Sequence, residues 1–261
     1  MRKFDVVFPV LHGKYGEDGT IQGIFEMAKV KYVGCKVLGS GIAMDKIFSK
    51  ELVNSINIPI VEYMTLNKKE YYNMNGNVEE IKKKINDVLS FPVIVKPNKE
   101  GSSYGVYKVD KEEKIKEAIE YAFKYDDSIL IEKYISNRKE VECAVIYMDE
   151  KIYASTLGEI VSESELYDFN SKYKSTISYT KIPADISNDL INKIKEYAIK
   201  IFKVLKLDGL SRVDFFVSND KIYFNEVNTM PGFTNISMYP KMLIHDGISY
   251  DKIIDILIEN C

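Results

Sequence analysis

Four polar side chains towards the end of the chain have the types and spacing of a metal–phosphate site. Arg212 and Asp214 are two residues apart, and so are Glu226 and Asn228. Side chains two apart on a strand point to one face of a sheet. Carboxylate and amide oxygens without histidine or cysteine suit Mg²⁺, which usually also takes phosphate oxygens. These residues therefore predict a metal–phosphate site, with a solvated polar sheet face as the alternative.

Both polar pairs belong to one predicted β-hairpin. Residues 210–217 and 221–227 are rich in β-branched and aromatic residues, and the turn-forming residues 218–220 separate them. A loop of these three residues would place Glu226 opposite Arg212. The polar side chains alternate with large apolar ones, so we expect one face of the hairpin to be polar and the other to be core.

Two loops add groups that could bind a ligand. His12 follows a predicted strand at residues 5–10 and lies among three glycines and two acids that open a helix near residue 21. Its position fits a site role and a structural hydrogen bond about equally. The Gly- and Ser-containing loop 99–105 joins two predicted strands and could close over phosphates, although a plain hairpin turn fits it as well.

Two lysines occupy informative positions. Lys96 lies in a predicted apolar strand at residues 91–97, where an ammonium group needs an anionic partner. Lys46 lies in the first turn of a helix predicted over residues 43–53, after a glycine-punctuated surface stretch at 33–41. A lone lysine in a first helical turn is by default a surface residue, so only Lys96 predicts a buried contact.

Charged residues near the middle of the chain allow two interpretations. The strand predicted at residues 129–135 carries Glu132 and Lys133, and Glu140 begins the next strand. They fit an adenosine pocket, with carboxylates for ribose hydroxyls and backbone for the adenine edge, and they fit solvated charges on an edge strand equally. Residues 163–179 lack periodicity, and long aperiodic loops in compact domains often act as lids.

Composition argues against several classes of protein. The 261 residues are 46% hydrophobic and carry a net charge of −3, with charges dispersed along the chain. They can form a substantial core, and nothing favours nucleic acid or an anionic membrane as a partner. No apolar run reaches transmembrane length, and no signal peptide is recognisable. The three well-separated cysteines predict free thiols in a reducing cytoplasm.

The motifs occur in an order that resembles the D-alanine–D-alanine ligase family of the ATP-grasp superfamily. The resemblance covers essentially the whole chain, and its specificity lies in the combination rather than in any single piece. The motifs are His-Gly-x-x-Gly-Glu-Asp-Gly from residue 12, Met-Asp-Lys from 44, Val-Lys-Pro-x-x-x-Gly-Ser-Ser from 95, Glu-Lys-Tyr-Ile from 132, Tyr-Asp-Phe-x-x-Lys-Tyr from 167, Arg-x-Asp from 212 and Asn-Glu-x-Asn-Thr-x-Pro-Gly-Phe-Thr from 225.

The resemblance implies a fold and a reaction. The fold would be mixed α/β and α+β, an ATP-grasp fold with an incomplete N-terminal Rossmann-like domain. Its divisions would be a partial substrate domain at 1–44, a central subdomain at 45–138 and a C-terminal subdomain at 139–261. ATP would phosphorylate the carboxylate of one D-alanine, and the amine of a second would attack the acyl phosphate, for peptidoglycan precursor synthesis. The family also implies a cytoplasmic homodimer.

The resemblance assigns roles to individual residues. By similarity, the ATP-binding residues are Lys46, Lys96, Ser102 and Ser103 at the phosphates and Glu132, Lys133, Ile135 and Glu140 around adenosine. The metal ligands are Asp214, Glu226 and Asn228, for two Mg²⁺ ions with Mn²⁺ as an alternative. The catalytic residues are His12 beside the first D-alanine, Arg212 and the Gly232 N–H at the developing oxyanion, and Ser102 with Tyr173 between the phosphate loop and the lid. The second substrate is bound by Lys172 and Ser237, with Met238 beside them.

The chain departs from the family pattern in two places. Members begin with a strand and a glycine-rich loop whose glutamate holds the first substrate's ammonium group, and no residue here matches that glutamate. One alternative is therefore a remnant that binds Mg·ATP without productive D-alanine binding. At Met238 the D-alanine-adding members have an apolar residue, whereas relatives that add D-serine or D-lactate often have arginine. We therefore expect D-alanine as second substrate, with D-serine open.

Overall fold

The structure is a computed structural model that describes residues 4–74, 76–162 and 178–261. Its strands are Val6–Val7 (β1), Lys31–Tyr32 (β2), Tyr63–Asn67 (β3), Val93–Pro97 (β4), Tyr107–Val109 (β5), Ser128–Lys133 (β6), Lys139–Met148 (β7), Lys151–Ser162 (β8), Ser178–Lys181 (β9), Leu210–Ser218 (β10) and Lys221–Asn228 (β11). Its α-helices are Thr20–Met27 (α1), Val37–Met44 (α2), Lys46–Ser55 (α3), Lys68–Asn73 (α4), Glu79–Val88 (α5), Ile115–Ala122 (α6), Asn188–Val204 (α7), Met238–His245 (α8) and Tyr250–Glu259 (α9). None of the helices in these ranges is long and apolar enough to cross a membrane.

The described residues fall into two compact units. The first contains residues 4–60, 138–161 and 179–261, and the second contains residues 61–137 apart from residue 75, together with residues 162 and 178. The division into segments 1–44, 45–138 and 139–261 stays a prediction. Each unit has its own sheet and its own hydrophobic core.

The first unit is built on a five-stranded sheet in the order β11-β10-β7-β8-β9. Alternate residues of β7 enter two different cores, as the period of two along a strand requires. Val141 and Cys143 pack towards α7, whereas Ala144 and Ile146 pack towards α8 and α9. A separate two-stranded parallel sheet pairs β1 with β2.

The β10–β11 hairpin confirms the predicted polar face but not the predicted register. Ser218 pairs with Lys221, so the turn has two residues, both with positive φ as in the tight turns that match strand twist. Between the pairs Phe215–Phe224 and Asp214–Glu226, Asn225 is an extra residue, which makes a β-bulge. The expectation that Glu226 lies opposite Arg212 is wrong, because Arg212 faces Asn228.

The stretch at 33–41, predicted as a surface segment, instead contributes to helix α2, and Asp45 caps the following helix α3 by accepting from the Phe48 N–H at 3.0 Å. Gly39 in α2 lies so close to the end of α7 that a Cβ atom there would meet the Lys206 carbonyl oxygen at 2.4 Å. A side chain would thus push two backbones apart, which explains a glycine inside this helix.

The second unit has a four-stranded sheet in the order β3-β6-β4-β5, with antiparallel pairs throughout. Its core lies on one face of that sheet, where Val95 and Ile131 pack against the helical residues Ile85 and Ile119. The predicted hairpin around residues 99–105 is confirmed, because β4 and β5 pair directly. This leaves the other sheet face for the polar residues of β4 and β6.

The two glycines of α2 offer a matched test of this packing. Replacing Gly39 with alanine should lower the free energy of unfolding by about 1–3 kcal/mol through overpacking. Replacing Gly41, where a Cβ atom would meet nothing closer than 3.6 Å, should raise stability, by up to about 1 kcal/mol through helix propensity. Urea unfolding of both variants measures the difference, and equal effects would contradict the close approach.

Candidate active site

A row of acidic side chains crosses three strands of the first unit. Asp214 on β10 lies opposite Glu142 on β7 and opposite Glu226 on β11. Residues directly opposite in antiparallel strands share a face, so the three carboxyl groups point to one side. Arg212 and Asn228 form the next row on the same side. The structure thus brings together the four polar residues that the sequence predicted.

Arg212 is the centre of the contacts in this group. Its Nε and Nη2 donate to the two carboxylate oxygens of Asp214 at 2.8 and 2.7 Å, a two-bonded arrangement that fixes both groups. Its Nη2 also lies 3.3 Å from Glu142 Oε1. Asn228 Nδ2 donates to Asp214 Oδ2 at 2.9 Å. One guanidinium therefore holds two carboxyl groups of the row.

Burial makes this charge arrangement costly. Removal from water raises the pKa of Glu142 to about 8, with the Asp214 charge adding to the effect. Burial also raises the pKa of Asp214, against the lowering by Arg212. The same neighbours raise the pKa of Arg212 although its own burial opposes this, so it stays charged. The site therefore favours the arrival of further positive charge.

Glu142 is a site residue that the sequence analysis missed. Its side chain is 5% exposed, and its Oε2 has no hydrogen-bond partner in the described part of the chain. The available signal was its position two residues after Glu140 on the same strand, which places both on one face. A buried carboxylate oxygen without a partner is expensive, and this one lies in the row of predicted metal ligands.

Lys46 reaches the same group from the start of α3. Its Nζ lies 3.5 Å from Glu226 Oε2, and the residue is buried. The default interpretation of Lys46 as a surface lysine is therefore wrong. An ammonium group beside a predicted metal ligand can also bind an anion that a metal ion accompanies.

The oxygen ligands fit Mg²⁺ as an incomplete set. Within residues 4–74, 76–162 and 178–261, no three His, Cys, Asp or Glu side chains are grouped so as to hold a metal ion by themselves. Magnesium sites in nucleotide-binding enzymes use one or two carboxylates and complete their ligands with phosphate oxygens and water. Asp214, Glu226 and Asn228 provide two carboxylates and an amide oxygen on one face, which is the protein's share of such a site.

The loop around His12 is fastened to the segment after β11. The Nδ1–H of His12 donates to the Met230 carbonyl at 2.8 Å, which leaves Nε2 for another partner. Glu17 accepts from the Met230 N–H at 3.1 Å and from the Gly13 N–H at 2.6 Å. Burial raises the pKa of Glu17. Glu17 was also missed, although its stretch of three glycines and two acids was singled out.

Gly232, expected at the developing oxyanion, and Ser237 and Met238, expected at the second substrate, lie where the segment after β11 enters α8. A Cβ atom on Gly232 would be 2.8 Å from the Ser237 hydroxyl, so the glycine permits close approach there. Ser237 Oγ also accepts from the Thr234 N–H at 3.1 Å. Met238 begins α8 and is buried in the core that α8 and α9 cover. Lys172 and Tyr173 lie outside the described residues, as does most of the predicted lid.

The second unit contains the other predicted nucleotide-binding residues. Lys96 and Glu132 form a buried ion pair at 2.8 Å across neighbouring strands, which confirms the expected anionic partner of Lys96. Lys133 is more exposed and pairs with Glu62 at 2.9 Å, and Ile135 follows β6 half-buried.

Two consecutive serines shape the tip of the β4–β5 hairpin. Ser102 and Ser103 both have positive φ, a left-handed backbone conformation that is uncommon for serine. Both are exposed, and Gly105 closes the tip against Pro97. The tip can therefore present backbone N–H groups and hydroxyls to an anion.

Glu140 is held by a neighbour in the first unit. Arg138 donates from Nε and Nη2 to Glu140 Oε1 at 3.3 and 3.1 Å, and its guanidinium lies 4.6 Å from the Phe216 ring centroid. The Glu140 side chain remains 44% exposed. Glu140 therefore lies on the same sheet face as Glu142 but is much more exposed to solvent.

The sequence matches two family models, which together cover most of the chain. The family model described as the D-Ala D-Ala ligase C-terminus matches residues 52–259, and the N-terminus model matches residues 1–35. A D-alanine–D-alanine ligase of Acetivibrio thermocellus is 50% identical over 99% of this chain and 68% of its own length. A ligase of the same name from Clostridium acetobutylicum is 44% identical, over 99% of this chain and 74% of its own.

Solved structures agree with these matches. The VanG D-Ala:D-Ser ligase of Enterococcus faecalis has a TM-score of 0.89 at 40% identity, and the match covers 99% of this chain and 73% of the VanG chain. The D-alanine–D-alanine ligase of Coxiella burnetii has a TM-score of 0.85 at 34% identity, with 99% and 69% covered. The fold and the oxygen-rich sheet face thus define an ATP-grasp ligase. Within that class, the chain belongs to the D-alanine–D-alanine ligase family.

The raised pKa of Glu142 predicts a pH-dependent stability of the metal-free protein. A glutamate titrates near pH 4.3 when unfolded, so between about pH 4.3 and about pH 8 the folded state binds more protons and loses stability as pH rises. In EDTA, wild type should lose more unfolding free energy across this window than Glu142→Gln does. Glu150→Gln, in the exposed β7–β8 turn, should keep the wild-type slope, and a Glu142→Gln slope equal to both would contradict the shift.

Proposed function

We propose that this chain joins two D-alanine molecules at the expense of ATP, with an acyl phosphate between the two steps. The observation that carries the proposal is the acidic row of buried Glu142, buried Asp214 and half-buried Glu226 beside Arg212 and Lys46. Such a row attracts a cation, and the two basic side chains are suited to the phosphate that accompanies it. Membership of the ligase family supplies the substrates.

In the first step, a carboxylate oxygen of the first D-alanine attacks the terminal phosphorus of ATP, and ADP leaves. Asp214, Glu226 and Asn228 would hold Mg²⁺, which neutralises phosphate charge and so supplies electrophilic assistance when bound. Lys46 would hold a phosphate oxygen at the face of the first unit. Lys96, Ser102 and Ser103 would do so in the second unit, where Glu132, Lys133 and Ile135 would contact the adenosine.

In the second step, the neutral amine of the second D-alanine attacks the acyl carbon, and inorganic phosphate leaves. Negative charge develops on the former carbonyl oxygen, and Arg212 with the Gly232 N–H is proposed to stabilise it. Glu140 is proposed to bind ribose, and Ser237 with Lys172 to bind the second carboxylate. His12 would border the first D-alanine through Nε2, because its Nδ1–H is used by Met230.

The second substrate is proposed to be D-alanine. Met238 is buried and apolar, as in the D-alanine-adding members of the family, and it offers no charge or hydrogen-bond donor to a hydroxyl group. D-Serine is the second candidate because VanG, which is similar in structure, is a D-Ala:D-Ser ligase. We further propose that the protein acts as a homodimer in the cytoplasm, where its three free thiols fit a reducing environment.

ADP release by the purified chain with Mg²⁺ and D-alanine tests the proposal. Turnover should require D-alanine, and Asp214→Asn should lower kcat/KM by about 100-fold or more because a metal ligand is lost. Asp220→Asn, in the exposed turn of the same hairpin, should leave kcat/KM unchanged. Tight ATP binding without any D-alanine-dependent ADP release would identify a nucleotide-binding protein instead of a ligase.

Substrate competition separates the two candidates for the second site. With D-alanine and D-serine at equal concentrations, D-alanyl-D-alanine should be the main product, because a hydroxyl buried beside the thioether of Met238 would lose its hydrogen bonds to water. Mass spectrometry of the dipeptides measures the ratio. A product mixture dominated by D-alanyl-D-serine would reverse the assignment.

A further inference from the structure

Lys50 is a fully buried lysine on the helix that also carries Lys46. Its exposure is 0%, which is rare for this residue type because an ammonium group loses strong hydration on burial. Its Nζ lies 3.5 Å from the carbonyl oxygen of Phe224 and 5.8 Å from the centroid of the Phe224 ring. The buried charge is thus directed at the backbone of β11.

The carbonyl that Lys50 contacts lies at the bulge. Phe224 is the last residue in register before Asn225, the extra residue that turns Glu226 back to the polar face. If Asn225 were paired regularly instead of bulged, Glu226 would alternate onto the core face that Phe224 occupies, and the acidic row would lose a member. The position of the Phe224 carbonyl therefore determines where Glu226 and Asn228 point.

β11 is an edge strand of its sheet in the described part of the chain, where an isolated bridge between Ile60 and Phe224 lies on its outer side. At Phe224 the outer backbone groups are bound by other parts of the first unit. The N–H donates to the Pro59 carbonyl at 2.8 Å, and the carbonyl accepts from Lys50. The segment from α3 to Pro59 thus covers the edge at the bulge.

Two lysines one turn apart on α3 act on the same short piece of β11. Residues four apart lie on one face of a helix, so Lys46 and Lys50 point the same way. Lys46 contacts the carboxylate of Glu226, and Lys50 contacts the backbone two residues earlier. Lys46 therefore contacts the proposed metal ligand Glu226, and Lys50 contacts the strand that carries Glu226.

We propose that Lys50 is a positioning residue for the metal site: its ammonium group holds the Phe224 carbonyl and so fixes the β11 bulge that presents Glu226 and Asn228 to the cation. This inference rests on the proposed function, because it assigns a task to a residue outside the ligand set of that site. Lys50 touches neither substrate nor metal in this proposal.

Metal affinity, measured without turnover, tests the proposal. Mn²⁺ is the probe, its free concentration is followed by electron paramagnetic resonance, and a non-hydrolysable ATP analogue supplies the phosphates. Lys50→Met keeps most of the side-chain volume and removes the charge. We expect its Mn²⁺ affinity to fall by about 10- to 100-fold, as is typical when the support of a metal ligand is removed, whereas affinity for the metal-free nucleotide should stay within about twofold.

Val53→Ala is the matched control for general loosening of α3. Val53 is fully buried on the same helix and packs in the core that α7 covers. The change should lower the unfolding temperature through a cavity and should leave Mn²⁺ affinity as in wild type. A purely structural role of Lys50 predicts instead that both variants lose Mn²⁺ affinity in proportion to their loss of stability.

A second variant decides the case if Lys50→Met does not fold. Lys50→Arg keeps a buried cation, but the wide planar guanidinium cannot take the place of an ammonium without moving the Phe224 carbonyl. It should bind Mn²⁺ more weakly than wild type in the same assay. Wild-type Mn²⁺ affinity in the folded Lys50 variants would contradict the positioning role of Lys50 and leave the proposed function untouched. Absence of nucleotide-dependent Mn²⁺ binding in wild type would overturn the proposed function as well.

Discussion

Buried negative charge on one sheet face is the constraint on which the first unit depends. Glu142, Asp214 and Glu226 lie in one row, of which Glu142 and Asp214 have little access to water. Arg212 contacts Glu142 and Asp214, and Lys46 contacts Glu226. Carboxyl groups in such surroundings are paired, bind a metal ion or take up a proton. The raised pKa values of Glu142 and Asp214 express the same cost. In the proposed function, a divalent ion carried by a nucleotide would relieve this cost.

The rest of the unit positions this row. The α7 core fixes β7 and β10 from one side, and the α8 and α9 core continues along the other side beyond the polar patch. Helix α3 covers the outer edge of β11, and the loop that carries His12 and Glu17 is fastened to the backbone of Met230. Two separate stretches of chain thus contact β11 and the segment directly after it.

The sequence predicts the type of site better than its exact pairing. The polar face follows from the period of two, and Arg212, Asp214, Glu226 and Asn228 are found together as expected. The register could not be predicted, because a two-residue turn with a bulge and a three-residue turn without one suit the same residues. The burial of Lys46 and Glu142 could not be predicted either. A lysine in a first helical turn is usually exposed, and a strand glutamate becomes a site residue only once its cross-strand partners are known.

The turn and the bulge of the β10–β11 hairpin together decide on which face of the sheet the residues of β11 lie. A strand shows its residues alternately to two faces, so the count of turn and bulge residues decides whether Asp214 and Glu226 face the same way. Two turn residues and one bulge residue form an odd total, as three turn residues alone would. A related chain with one residue more or fewer between the turn and Glu226 therefore keeps that carboxylate on the polar face only by gaining or losing a bulge. A change of two residues keeps the face but moves the carboxylate along the strand, away from Asp214.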